Sequence, residues 1–303
     1  MIRKKKYIIL LIVAVLLLLA AGYVFYKIKS RSKEISGFME SKELNETSGI
    51  AASGIFKDTY YIHNDSGDTS RFFAITPKGQ LLSTFYFQQD KQMKFPQLDC
   101  EDIAVGKGPK PGKSYVYLGD IGDNFNGRPY VTVYRFEEKS AWIKKTVNHV
   151  VPSQLHLNYP DGSKDSETLM VDPLQSLLYI INKRTDTIRI YTTPLMFKDN
   201  ETRVLTLQGK IHIPGFKPFK YITSGDISKD GSRILLKSYG KVYYWQRKGN
   251  EPVWKTMQSK PAELPYELQQ QGEAIGFTAD GTGYFTTSEA AFAAIYYYRI
   301  PQE

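Results

Sequence analysis

Residues 222–246 read ITSGDISKDGSRILLKSYGKVYYWQ. The triplet Gly225-Asp226-Ile227 opens an apolar stretch, and Lys229-Asp230-Gly231 supplies a turn. A short β-rich run follows at 234–236, then an aromatic, alternating run at 242–245. Strand, turn, strand, turn, strand in so short a length is an antiparallel meander. A weaker apolar run at 253–256 is read as its fourth strand.

The same succession recurs along the chain. Its opening triplets are Ser48-Gly49-Ile50, Glu101-Asp102-Ile103, Glu167-Thr168-Leu169, Gly225-Asp226-Ile227 and Glu273-Ala274-Ile275. They are spaced 53, 66, 58 and 48 residues apart, a period that suits one four-stranded propeller blade. Second strands are predicted at 60–63, 115–118, 178–181, 234–236 and 284–286, and third strands at 72–75, 131–136, 188–191, 242–245 and 295–300. Fourth strands are predicted at 81–87, 154–157, 204–207 and 253–256. The fifth unit has no fourth strand of its own. Residues 35–39 have no other partner, so an N-terminal strand is expected to close the ring, which removes sheet edges. The fold class expected is all-β, a five-bladed propeller over residues 34–303. A sixth blade hidden in 138–159 is the alternative.

Residues 1–33 are a different kind of segment. Arg3, Lys4, Lys5 and Lys6 precede twenty uncharged residues, 7–26, and Lys27, Lys29, Arg31 and Lys33 follow. Twenty apolar residues are enough to span hydrocarbon as a helix, and the run is long for a signal-peptide core. The expectation is an uncleaved signal anchor, a single transmembrane helix with the propeller extracytoplasmic, periplasmic or at the cell surface. The net charge of +9 belongs to this segment; without its eight basic residues, 32 basic stand against 31 acidic. The globular part therefore carries no nucleic-acid signal. Cys100 is the only cysteine, which excludes an intrachain disulfide and reads as a small buried hydrophobe.

Antiparallel pairing places the start of each first strand and the end of each second strand on one face of the disc. The five triplets should ring one mouth of the central channel. Three of them contribute Glu101, Glu167 and Glu273, and Ser48 stands in register in the first blade. In the fourth, Ser224 lies next to the aligned position, and a bulge could bring it inward. Three carboxylates aimed at one axis need protons or a cation, and oxygen ligands of this kind suit Ca²⁺. The bland alternative is that they are solvated strand ends.

This order of Ser, Glu, Glu, Ser, Glu resembles the calcium-activated nucleotidases (apyrases), five-bladed propellers with calcium in the central tunnel. In that family, too, ligands lie two residues before an apolar residue in four blades. The resemblance implies Ser48, Glu101, Glu167, Ser224 and Glu273 as calcium ligands. Residues 117–122, YLGDIG, and Leu236-Lys237-Ser238 are also similar. Two motifs depart from the family. Its acidic-acidic-Arg-Thr-Gly loop is here Asn64-Asp65-Ser66-Gly67-Asp68, and the acidic pair after Lys-Ser is here Tyr239-Gly240. The phrases His63-Asn64-Asp65-Ser66-Gly67 and 119–124, GDIGDN, are similar to uncharacterised bacterial propellers described as WD40-like or phytase-like.

If the site hydrolyses phosphoesters, Asp65, Asp120 and Asp123 are the candidate catalytic acids and Lys183, Arg184 and Lys237 the candidate phosphate contacts. The alternative reading of these Asp residues is turn chemistry. The four histidines show no zinc spacing, and no nucleophile elbow or phosphate loop is present. Two functions stand open: a surface-tethered binding or scaffold propeller, for a small anion or a protein, whose central cation is structural, and a metal-dependent hydrolase of phosphorylated or other anionic small molecules.

Overall fold

The computed structural model describes residues 13–18, 33–88, 99–185 and 187–301. It is a five-bladed β-propeller. The chain enters through β1 (Lys33–Phe38) and then lays down blade one as β2 (Thr47–Ala52), β3 (Tyr60–Asn64), β4 (Arg71–Ile75) and β5 (Leu81–Phe87). Blade two is β6 (Cys100–Lys107), β7 (Ser114–Asp120) and β8 (Val131–Glu137), followed by a 3-10 turn at Trp142–Lys144, β9 (Val147–Val150) and β10 (Ser153–Asn158). Blade three is β11 (Ser166–Asp172), β12 (Leu177–Asn182) and β13 (Thr187–Pro194), then β14 (Glu201–Val204) and β15 (Thr206–His212). Blade four is β16 (Ile222–Ile227), β17 (Arg233–Ser238) and β18 (Val242–Gln246), then helix α1 (Val253–Thr256) and β19 (Ala262–Leu264). Blade five is β20 (Gly272–Phe277), β21 (Gly283–Ser288) and β22 (Ala294–Arg299). The inner strands β2, β6, β11, β16 and β20 each contact the next, and β20 contacts β2, so the ring is closed.

The expected closure is present. β1 pairs antiparallel with β22, from Lys33 opposite Tyr298 to Phe38 opposite Ala294, and serves as the outer strand of blade five. The stretch 138–159 holds no sixth blade. Instead β9 adds in parallel to the outer edge of blade one, and β14 adds in the same way to blade two. Each of these strands reaches back to the preceding blade and covers its edge.

One strand expectation is overturned. Residues 253–256 form a single helical turn, and the outer strand of blade four is β19. Lys255 N–H and Thr256 N–H both donate to the Pro252 carbonyl, at 2.9 and 3.0 Å. Val253 and Met257 are fully buried one turn apart, and i, i+4 is a helical spacing. In blade three the run at 204–207 spans the join of two strands, and β15 is the one that pairs with β13.

The third-strand aromatics pack between blades, as expected of core residues. Tyr243 and Trp245 join Tyr179 and Ile222, and Tyr298 joins Leu235 and Ile275. Cys100 is buried beside Phe136 and Tyr134, and burial pushes its thiol well up. Most of the apolar run 7–26 lies outside the described residues; 13–18 are helical, with exposed apolar side chains. Among the described residues no helix is long and apolar enough to cross a membrane.

Candidate metal centre at the axial mouth

Each inner strand begins with a register break. The pairing skips between Thr47 and Gly49, Cys100 and Asp102, Ser166 and Thr168, Ile222 and Ser224, and Gly272 and Ile275. An extra residue in one strand re-aims its side chain. The residues set out of register are Ser48, Glu101, Glu167 and Thr223, with Glu273 in the fifth break. All five are buried, with at most 3% of their surface exposed.

Blade four therefore differs from expectation. Thr223, rather than Ser224, holds the ring position. Its hydroxyl donates to the Glu273 carbonyl of the next blade at 3.1 Å, just as the Ser48 hydroxyl donates to the Glu101 carbonyl at 3.0 Å. Ser224 pairs in register with Lys237 and sits one layer deeper, donating to Asp102 Oδ1 at 3.0 Å. That layer is plugged by Asp102, which is fully buried. Asp102 also accepts from Leu169 N–H at 2.9 Å and Gly225 N–H at 3.4 Å, tying blades two, three and four together. The space is tight: a Cβ on Gly49 would fall 2.9 Å from Asp102 Oδ1 and 2.8 Å from Ile103 N.

A second tier lies just past the ends of the second strands. Asp65, Lys183, Tyr239 and Glu289 occupy matching positions there, and each acts on the ring acids. Lys183 forms a buried ion pair with Glu167, and its ammonium is 4.0 Å from Glu273 Oε1. Tyr239 donates its hydroxyl to Glu273 Oε1, and Glu273 Oε2 lies 3.2 Å from the Ser48 hydroxyl, competing with the Glu101 carbonyl for its one proton. Burial works against the Lys183 ammonium. Glu167, Glu273 and Glu101 outweigh it and hold that ammonium well above the ordinary lysine range.

The acids outnumber the cations beside them, Lys183 at Glu167 and Arg184 at Asp165. Carboxylate oxygens of Asp65, Asp99 and Glu101 lie within 4.8 Å of one another, as do those of Glu101, Asp165 and Glu167. Glu101 belongs to both groups. Burial and then the neighbouring carboxylates push up Glu101 and Glu289, and push Asp65 to about 7. Glu167 Oε2 is buried and has no hydrogen-bond partner among the described residues. A cation among these oxygens would replace protons that like charge and burial otherwise impose.

Asp99 and Asp165 were not singled out from the sequence, yet a signal is present. Asp99-Cys100-Glu101 and Asp165-Ser166-Glu167 repeat an Asp-x-Glu pattern, and each Asp stands two residues before its ring Glu.

The other candidate residues are placed as follows. Asp120 accepts from Arg128 Nη1 at 2.7 Å and from Asp99 N–H at 3.0 Å. Asp123 accepts from Gly127 N–H at 2.8 Å and Arg128 N–H at 3.0 Å, which is turn chemistry. Arg184 Nε pairs with Asp165 Oδ2 at 2.8 Å and is partly exposed. Lys237 is fully buried, its ammonium donating to the Gly272 and Ser238 carbonyls and lying 4.7 Å from the Tyr266 ring centre. Burial lowers it to about 7, against the pull of Glu273. It is in no position to meet a phosphate. His63 is buried and lowered to about 4 by burial, so it is neutral at pH 7.

No family model matches the chain, and no curated protein matches it.

Proposed function

We propose that this chain is a membrane-tethered, extracytoplasmic binding propeller whose axial mouth holds a divalent cation, calcium by the resemblance above, and presents it to a small anion or a protein ligand. The observation that carries the reading is the pair of carboxylate triads sharing buried Glu101. Asp65, Asp99, Glu101, Asp165 and Glu167 would supply hard oxygen ligands of the kind calcium takes. Lys183 already neutralises Glu167 and approaches Glu273, and Arg184 pairs with Asp165, so Asp65, Asp99 and Glu101 are the most available of these ligands. Binding is favoured over hydrolysis because Asp120 and Asp123 are engaged in local hydrogen bonds and Lys237 is sealed in the interior. A catalytic water needs a free base and phosphate needs accessible cations.

Topology adds an orientation. Lys33, where a tether would join, pairs with Tyr298 at the end of β22, whereas Phe38 reaches the ring face beside Ala294. A tether arriving at Lys33 meets the face opposite the acidic mouth, leaving that mouth turned away from the membrane.

The test is thermal melting of the full chain in detergent with calcium, with magnesium and with chelator. A cation at 100 times its Kd adds about 2.7 kcal/mol, which raises Tm by roughly 5–11 °C for a domain this size. Glu101→Gln removes the shared ligand and should abolish the response. An unchanged melt in calcium sinks the cation site. Phosphoester turnover that vanishes in Asp65→Asn would replace the binding reading with a hydrolase.

A further inference from the structure

The opposite mouth of the channel has its own chemistry. A cavity of about 310 Å³ opens there, where the five inner strands end. Every blade contributes an apolar wall: Ala51, Val105, Val171, Ile227 and Phe277. The cavity is of the size of small-molecule sites, which combine apolar walls with a few placed polar groups. Asp226 is the acid on its lining, among the hydroxyls of Ser53, Ser114, Ser228 and Thr278. It is partly exposed and lines the cavity, and its Oδ2 accepts Phe277 N–H at 2.8 Å. Among the described residues no lysine, arginine or histidine lies within ion-pair distance of it. The cations stand elsewhere on the lining: Lys107 is half-buried, and Lys113 and Lys229 are exposed. Glu138, the other acid near this wall, is occupied by Ser53 Oγ at 2.6 Å, the Tyr61 hydroxyl at 3.0 Å and Gly54 N–H at 3.1 Å.

An unpaired carboxyl inside an apolar funnel with a basic lining farther out is complementary to one charge pattern. We propose that this mouth is a second binding site, separate from the acidic ring, for a small zwitterion with an apolar body, of the kind an aromatic amino acid presents. Its ammonium meets Asp226, its ring packs against Val105, Val171 and Phe277, and its anionic end meets Lys107, Lys113 or Lys229. Burial pushes Asp226 up to about 7, so an arriving ammonium supplies the counter-charge that the site lacks.

Three probes separate the elements of the proposal by titration calorimetry on the full chain in detergent. L-phenylalanine carries both charges, phenethylamine only the ammonium, and 3-phenylpropionate only the carboxylate. Phenylalanine should bind tightest and phenylpropionate at least tenfold more weakly. Asp226→Asn keeps the acceptor for Phe277 N–H and should weaken both amines at least tenfold while leaving phenylpropionate no weaker, since it removes a like charge. Lys229→Ala, at an exposed position, should weaken phenylalanine and spare phenethylamine. Ala52→Leu narrows the cavity with Asp226 intact and should weaken all three, which keeps the test decisive if Asp226→Asn folds poorly. Absence of amine binding to the unaltered chain overturns the proposal. So does amine binding that is unmoved by both Asp226→Asn and Ala52→Leu.

Discussion

Replacing Asp102 by Ala should be among the most damaging single changes in the propeller. The carboxylate accepts from Leu169 N–H, Gly225 N–H and the Ser224 hydroxyl, groups in blades three and four, and from its own neighbour Ile103 N–H at 2.9 Å. The Ser224 hydroxyl can turn elsewhere, but the backbone N–H groups cannot. A buried donor left without an acceptor costs about 1–3 kcal/mol. Leu169 and Ile103, both at 2.9 Å, belong in the middle to upper part of that range, and Gly225, at 3.4 Å, at the lower. The loss should be about 5 kcal/mol, or a Tm lower by roughly 10–20 °C. Asp102→Asn keeps one acceptor oxygen for Leu169 and Gly225 and its amide can donate to Ser224, but it leaves Ile103 N–H without an acceptor, so about 1–2 kcal/mol is expected. Denaturant unfolding of both variants, read at constant m-value, measures the difference. A loss below 1 kcal/mol for the Ala variant, or equal losses for the two, would refute the view that this carboxylate pins three blades.

Lys183→Met leaves Glu167 without its cation. Breaking a buried pair costs about 3 kcal/mol when the remaining charge cannot be neutralised. Glu167 can take up a proton, so the loss should be small near pH 6 and grow toward pH 9, a trend that melting across that range will show or deny. Asp226 gives the opposite kind of pH signal from an ordinary carboxylate. Burial raises it to about 7, so the folded state holds a proton that the unfolded state releases near pH 4. Its stability contribution is complete below pH 4 and is lost as pH rises through 7. The Tm difference between the chain and Asp226→Asn should therefore shift in favour of Asn over that window; a flat difference would contradict it.

The fold was readable because each blade repeats one local grammar, a small or polar residue before an apolar run, then a turn (Asp-Gly in blades four and five) and an alternating third strand. Closure by the N-terminal strand followed from counting strands, since β22 otherwise faces solvent. What was not readable depended on register. Whether Thr223 or Ser224 faces the axis is decided by where the bulge falls against β17, and the sequence around both is equally small and polar. Val253 to Thr256 looked like a strand by composition. It folds as a turn because Pro252 offers its carbonyl to two N–H groups and because Val253 and Met257 bury on one helical face. Lys183, named as a phosphate contact, is an internal counter-ion, a role set by a neighbour sixteen residues away in sequence but paired across β11 and β12.

The bulges also explain why chemistry collects at one mouth. In a regular inner strand, alternate residues face the two neighbouring blades, and every side chain is absorbed into packing. A break in register frees one residue per blade from that alternation, and the ring closes those five residues onto one axis. Two hydroxyls, Ser48 and Thr223, use the position to tie blade to blade through the carbonyls of Glu101 and Glu273. The three glutamates have no such neutral task. Lys183 compensates one of them directly, and Tyr239 holds a second. Glu101 is left between two acidic neighbours on either side, Asp65 with Asp99 and Asp165 with Glu167. A fold that needed only closure could have used a third hydroxyl there, as it does in blades one and four. Lys183 and Arg184 match Glu167 and Asp165; Glu101, with Asp65 and Asp99 on its other side, keeps an excess of carboxylate that closure leaves unexplained and a bound cation would explain.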